Sequence, residues 1–304
     1  MKDRYRGAMV GTAIGDALGA PVEGQPTTRS YVDSLDRELP GLTYTDDTAM
    51  TIGVAESLLE SGGFDGHHLA HTFARHYAAE PWRGYGASPP EIFGKLERGV
   101  PWNEAAATLF GGSGSFGNGA AMRVAPVALF AHPDTHTVAS LARQTAIVTH
   151  THPEGGDGAV CQAVAVDRLL GRDLQAPLGP VDLIQEIQPY LTTAVFQERL
   201  TYLAASTGHG GPLEAARVLG SGISAPTSVP TALACVLAYP RSFPDAVKAA
   251  ISLGGDTDTI AAMTGALSGA YLGMNAVPAA WRRVEGHDLL IDLADRLYAH
   301  HVTR

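Results

Sequence analysis

The sequence predicts an all-α fold, one domain over 1–304 built from a dozen or more helices. Three observations carry this. Apolar residues recur at three- and four-residue spacing along most of the chain. Alanine, the residue with the highest helix propensity, dominates many of these runs. Convincing alternation of apolar and polar residues is absent, and no low-complexity linker divides the chain.

The elements follow in order. Gly7, Gly11, Gly15 and Gly19 recur every four residues and share one face of a first helix. In the helical run 46–60, Thr45-Asp46-Asp47 precedes the stretch Thr48–Glu60 as an N-cap with an acidic first turn, and Gly62-Gly63 stops it. Runs 119–131, 135–149, 156–170, 227–239 and 243–253 show the same helical period. The run 258–274 starts after Gly254-Gly255-Asp256-Thr257 and carries Gly265, Gly269 and Gly273, again spaced by four. A last run, 286–300, ends at His300-His301, expected to fray. Breaks are expected at Pro21–Pro40, Pro81–Pro90, Gly111–Gly119, Pro153–Gly156 and Gly208–Pro212. Each glycine within a helix loses roughly 0.5–1 kcal/mol relative to alanine, so two glycine stripes imply compensation by close backbone approach. The two striped helices are therefore expected to be central.

Composition narrows the function. The chain holds 35 glycines, 45% hydrophobic residues and 17% charged residues. The glycines lack a three-residue period, which excludes collagen, and the apolar content excludes disorder. A net charge of −10 argues against nucleic-acid and membrane-surface partners. Cys161 and Cys235 each sit inside an apolar run, so buried free thiols in a reducing cytosol are expected. No h-region or cleavage site suggests secretion. The apolar run Thr259–Asn275 is shorter than the roughly 20 residues a membrane span needs. A cytoplasmic protein is expected.

The strongest chemical signal is a pair of acidic clusters far apart in sequence, Thr45-Asp46-Asp47-Thr48 and Asp256-Thr257-Asp258-Thr259. Capping explains one acidic residue per helix start, but each cluster holds two. Carboxylates and hydroxyls are hard oxygen donors, suited to Mg²⁺, Mn²⁺ or Ca²⁺. Four converging aspartates would repel one another without divalent ions between them. His67 and His71 share a helical face beside His68 and His76, but no HExxH pattern follows, and a solvated face is expected. The stretch Gly111–Gly119 is a glycine-rich loop leading to a helix start, a form that can cradle phosphate on backbone N–H groups. Phe110 and Phe116 flank it and could sandwich a planar base. Glu23 lies in a segment too rich in glycine and proline for helix, where a carboxylate could ligate metal, position water or protonate a leaving group.

These residues resemble the ADP-ribosylglycohydrolase family from Arg6 to about Tyr298. The blocks are GAMVGTAIGDALGAPVEG (7–24), YTDDTAM (44–50), RGYGAS (83–88), GSFGNGAAMRVAP (114–126), THTHPEGGDGA (149–159) and LGGDTDTIAAMTGALSGAYLG (253–273). The RGYG and GSFGNGAAMRVAP blocks look most like the branch that hydrolyses O-linked ADP-ribose, serine-linked and poly(ADP-ribose) included.

The resemblance implies an orthogonal all-α fold with two Mg²⁺ ions in a central cleft, for which Mn²⁺ may substitute. It implies Thr45, Asp46, Asp47, Asp256, Asp258 and Thr259 as metal ligands and Glu23 with Asp258 as catalytic residues. Gly114, Ser115, Phe116, Gly117 and Asn118 match the segment that holds the diphosphate and distal ribose. Phe110 and Phe116 match the aromatic pair around adenine, and His150, Gly84, Tyr85 and Gly86 fall in the substrate pocket. Where the vertebrate O-linkage enzyme has tyrosine, Phe116 lacks a hydroxyl. The expected reaction is hydrolysis at C1″ of ADP-ribose on a modified protein or polymer, releasing ADP-ribose. An arginine-linked acceptor is the alternative within the family. A non-catalytic ADP-ribose-binding or crystallin-like protein, and a different metallohydrolase, are the alternatives outside it. Asp16, on the first striped helix, is a candidate to support the ligands from behind.

Overall fold

The structure is a computed structural model that describes residues 1–37, 41–206 and 210–303. Its helices, in chain order, are α1 (Lys2–Gly19), α2 (Arg29–Ser34), α3 (Asp46–Ser61), α4 (Gly66–Ala79), α5 (Ser88–Glu97) and α6 (Trp102–Ala105). They continue with α7 (Gly119–Met122), α8 (Ala125–Ala131), α9 (Thr135–Ala146), α10 (Pro153–Leu170), α11 (Pro180–Ile187) and α12 (Ala194–Ala205). The last are α13 (Pro212–Leu219), α14 (Ala225–Ala238), α15 (Phe243–Ser252), α16 (Thr257–Leu272) and α17 (His287–Thr303). Extended pairing among the described residues is limited to isolated bridges at Leu42–Val284 and Gly117–Ser224. The all-α prediction holds, and among the described residues no helix is long and apolar enough to cross a membrane.

The two glycine stripes face each other. α1 and α16 run antiparallel, and a Cβ added at Gly7, Gly11, Gly15 or Gly19 would collide with backbone of Gly269, Gly265, Ala261 or Thr257 respectively. Backbone therefore packs on backbone, which only glycine permits at this separation. Every residue of α16 from Thr257 to Tyr271 is buried, so the pair forms the centre, as a helix apolar all round must. Gly273 lies just beyond α16 and ends it at φ +83°. The antiparallel register brings the end of α1 to the start of α16, and with it the segment of Glu23 to Asp256 and Asp258. The α1 segment continues into a 3-10 turn at Ala20–Val22, so it is not the plain loop its Gly/Pro content suggests. Gly24 N–H then donates to Gly255 O at 2.9 Å, tying the Glu23 segment to the second acidic cluster.

Several boundaries depart from the sequence reading, each for a local reason. The run 119–131 is two helices, broken at Arg123-Val124, because Pro126 has no N–H to donate to the Met122 carbonyl and instead sits in the first turn of α8. The expected break at Pro153–Gly156 is the first turn of α10, where proline is well placed because its missing N–H has no partner to lose. Pro89 and Pro90 likewise lie in the first turn of α5. The Pro21–Pro40 stretch contains α2, and its end at Pro40, like Gly208, lies outside the described residues. Helices α5, α6, α11, α12 and α13 carry too few residues or too mixed a face for periodicity to reveal them. His300 and His301 do not fray. The His300 ring stacks on Phe130 at 4.1 Å, and His301 Nδ1 lies 2.9 Å from His132 O. Nor is the α4 histidine face wholly solvated. His68 meets Ser57 and Glu60, and His76 meets Glu56, all on α3, while the exposed His67 and His71 rings pack 4.2 Å apart.

Candidate metal and substrate site

The two acidic clusters stand at the starts of α3 and α16, yet neither Thr45 nor Asp256 caps its helix with a side chain. Thr45 is held differently. Its hydroxyl donates to Asp16 Oδ1 at 2.8 Å and its N–H to both Asp16 oxygens at 3.0 Å. Asp16 also accepts from Thr48 N–H at 3.1 Å and Thr48 Oγ1 at 2.6 Å. One fully buried carboxylate on α1 thus replaces the missing cap of α3 and leaves Asp46 and Asp47 free to face inward.

The carboxylates converge. Oxygens of Glu23, Asp256 and Asp258 lie within 4.8 Å of one another, close enough to share a cation. Asp46, Asp47, Asp256, Asp258, Thr259 and Glu23 line one cavity of about 340 Å³. Thr45 donates to Asp47 Oδ2 at 3.3 Å from the edge of this group. The other Asp47 oxygen, Oδ1, is buried with no hydrogen-bond partner. Asn118 Nδ2 donates to Asp256 Oδ2 at 2.5 Å, joining the glycine-loop segment to the second cluster.

Burial and mutual repulsion push these acids up. Asp46 is raised to about 8 by burial and then by Asp16 and Asp258. Asp258 is raised to about 7 by burial and Asp256, and Asp16 to about 7 by burial against its hydrogen bonds. Asp47 and Asp256 rise for the same first reason, and Glu23 rises through burial and the Asp258 charge. An orphaned buried carboxylate oxygen and five acids held this close form a donor set that a hard divalent cation fits.

The rest of the cavity wall is aromatic, small and polar. Phe110, Ser115, Gly117, Asn118, His150, Gly84 and Gly86 line it. Phe110 is 63% exposed and held at φ +51°, left-handed backbone that a non-glycine residue adopts only under strain. Phe116 is half exposed, rests edge-on against His152 at 5.7 Å and is not part of the lining. Gly114 is also outside the lining, at φ +75° with Thr151 where a Cβ would be. The Tyr85 ring turns away to pack on Tyr77 and Phe93, with its hydroxyl buried and unpartnered. Arg83 anchors that loop. It pairs with Glu285 at 2.8 Å and Glu80 at 2.9 Å and lies 4.1 Å over the Tyr44 ring.

Sequence reasoning did not single out Met50, Met122, Arg123 or Ile223, which also line the cavity. A lone arginine inside the apolar block AAMRVAP was the available signal for Arg123. It is buried, donates to Thr149 Oγ1 at 2.7 Å, and lies over the Phe73 ring at 4.6 Å. Ile223 carried no such signal; tertiary folding alone brings it there, 72% exposed.

The family model described as ADP-ribosylglycohydrolase matches residues 1–304. The ADP-ribosylhydrolase ARH3 of Mus musculus is 37% identical over 341 residues, covering 97% of this chain and 91% of its own. The ADP-ribosylarginine hydrolase Tri1 of Pseudomonas putida is 28% identical, covering 92% of this chain and 73% of its own. A solved structure titled ADP-ribosylglycohydrolase-related protein complex superposes with a TM-score of 0.74 at 28% identity, covering 98% of each chain.

Proposed function

The chain belongs to the ADP-ribosylglycohydrolase family, and we propose that it hydrolyses the glycosidic bond at C1″ of ADP-ribose on O-linked acceptors, serine-linked or polymeric, with two Mg²⁺ ions. The carrying observation is the convergence of Glu23 and both acidic clusters on the wall of a cavity that the glycine-loop segment also lines. We read 1–304 as one catalytic domain working in the cytoplasm.

Thr45, Asp46, Asp47, Asp256, Asp258 and Thr259 would hold the cations. When bound, divalent ions supply an oriented site for ribose hydroxyls and a more acidic water near neutral pH. The chain's own residues do the rest. Ser115, Gly117 and Asn118 bind the diphosphate and distal ribose, and Phe110 with Phe116 brackets adenine at the rim. Two further features support that placement: Gly117 lies beside His150, and Asn118 is fixed by Ser228 and Asp256. The carboxylates surround the carbon that gains positive charge as the bond breaks. Water adds its oxygen to C1″ and gives up one proton, the bond from C1″ to the acceptor oxygen breaks, and the departing oxygen takes one proton. Glu23, with its proton affinity raised by burial and then by the Asp258 charge, can deliver that proton or orient the water.

The test is a linkage panel with Mg²⁺: serine-ADP-ribosylated peptide, arginine-ADP-ribosylated peptide and poly(ADP-ribose). Release of ADP-ribose from the first or third is expected. Release from arginine alone would reassign the acceptor, and release from none would refute the hydrolase. Asp258→Ala should abolish turnover with the fold intact, and retained activity would refute the ligand assignment.

A further inference from the structure

His150 borders the cavity with its ring almost fully buried. Glycines cage it. A Cβ at Gly119 would stand 2.8 Å from its Cε1, at Gly155 3.1 Å from its Cβ, and at Gly117 3.4 Å from its Nε2. Two nitrogens remain to be satisfied. Nδ1 lies 2.7 Å from Thr149 Oγ1. Arg123 donates to that same oxygen at 2.7 Å. Nε2 has no partner among the described residues.

Hydrogen counting settles the direction of the chain. A guanidinium only donates, so Thr149 Oγ1 accepts from Arg123. The hydroxyl proton of this buried threonine then needs an acceptor, and Nδ1 is the one beside it. The opposite arrangement, with Nδ1–H donating, would leave a buried hydroxyl proton orphaned. An imidazolium would do the same and add a second cation beside Arg123. Burial and Arg123 accordingly hold His150 far below its ordinary value, at about 3.

We propose that Arg123 and Thr149 are positioning residues that lock His150 as the neutral Nε2–H tautomer, presenting a fixed donor to a ribose or phosphate oxygen of bound ADP-ribose. The ligand in this inference rests on the proposed function, whereas the tautomer does not. A flipped ring would lose the 2.7 Å Thr149 bond, and that bond dictates which nitrogen bears the proton. A donor aligned before binding needs no reordering when substrate arrives.

The experiment uses the full-length protein with ¹⁵N-labelled histidine, the His150 signal being assigned by its loss in His150→Ala. Two-bond ¹H–¹⁵N correlation should show pyrrole-type Nε2 and pyridine-type Nδ1 in the wild type. Thr149→Val should mix the tautomers, weaken ADP-ribose binding in calorimetry about tenfold, and raise KM with kcat within about twofold. Thr149→Ser, which keeps the hydroxyl, should restore all three. A wild-type Nδ1–H signal would overturn the proposal, as would wild-type affinity and tautomer in Thr149→Val. Should the wild type bind no ADP-ribose, the functional reading fails, while the imidazole signals still decide the lock.

Discussion

Replacing Gly19 with alanine should both destabilise the protein and disable it, whereas Gly7→Ala should only destabilise it. At Gly19 an added Cβ would stand 2.5 Å from Asp258 Cα and 2.6 Å from Asp258 N. At Gly7 it would stand 2.7 Å from Gly273 C and 2.8 Å from Met274 N. These neighbours are backbone, so no side chain can rotate aside, and α1 must move off α16 by about 1 Å. A gap of that size forfeits roughly a quarter to a half of each dispersion contact along the seam. Overpacking of this kind loses about 1–3 kcal/mol, and the rigid backbone puts both sites at the upper end. Alanine returns roughly 0.5–1 kcal/mol of helix propensity. The net is about 2 kcal/mol, a fall in Tm of about 3 °C for a chain this long. Only Gly19 lies where the seam meets the acidic centre, so only its variant should spread Glu23 from Asp258 and lose at least tenfold in hydrolysis. Thermal unfolding by circular dichroism reads the first effect, and ADP-ribose release well below melting reads the second. Gly63→Ala, in open space, is the control and should melt with the wild type. The reasoning is refuted if either α1 variant melts at or above the wild type, because helix propensity alone predicts that gain.

Other outcomes follow from the same geometry. Chelation of divalent ions should stop hydrolysis and lower Tm, and Mg²⁺ at a hundred times its Kd should restore about 2.7 kcal/mol; a melting curve indifferent to Mg²⁺ would show that the acidic centre holds no ion. Asp16→Asn leaves one acceptor oxygen where two take bonds from Thr45 and Thr48, and should weaken Mg²⁺ about tenfold or more with a loss of about 2 kcal/mol; unchanged Mg²⁺ affinity by calorimetry would exclude this supporting role. The unfolded chain protonates His150 below its ordinary 6.5, while the folded chain resists until about 3, so the residue makes stability fall as pH drops through 6.5. Between about pH 7 and about pH 5.5 the wild type should lose about 1 kcal/mol more than His150→Gln in denaturant titrations, and equal losses would mean the imidazole is protonated in the fold.

Much of the fold was legible because its signals are local. Helical period, the acidic starts of α3 and α16 and the Gly62 stop all act within a few residues. The run 119–131 was misjudged because one proline outweighs a continuous apolar pattern. The candidate site was legible as chemistry: two aspartate clusters, a glutamate after a glycine stripe, a glycine-rich loop. Arg123 was marked only by standing alone inside an apolar block, which does not say what it lines, and Ile223 was hidden because nothing local marks it.

By itself, then, the sequence determined that the chain is helical, that two helices need glycine along one face, and that hard oxygen donors gather at two helix starts. Only the tertiary structure decided that the two glycine faces meet each other, antiparallel and in the register that lays Gly19 on Asp258. A stripe of missing side chains specifies how close a partner can come but not which partner comes. That pairing, made across more than 200 residues, turns two helix ends and a glutamate into one acidic centre.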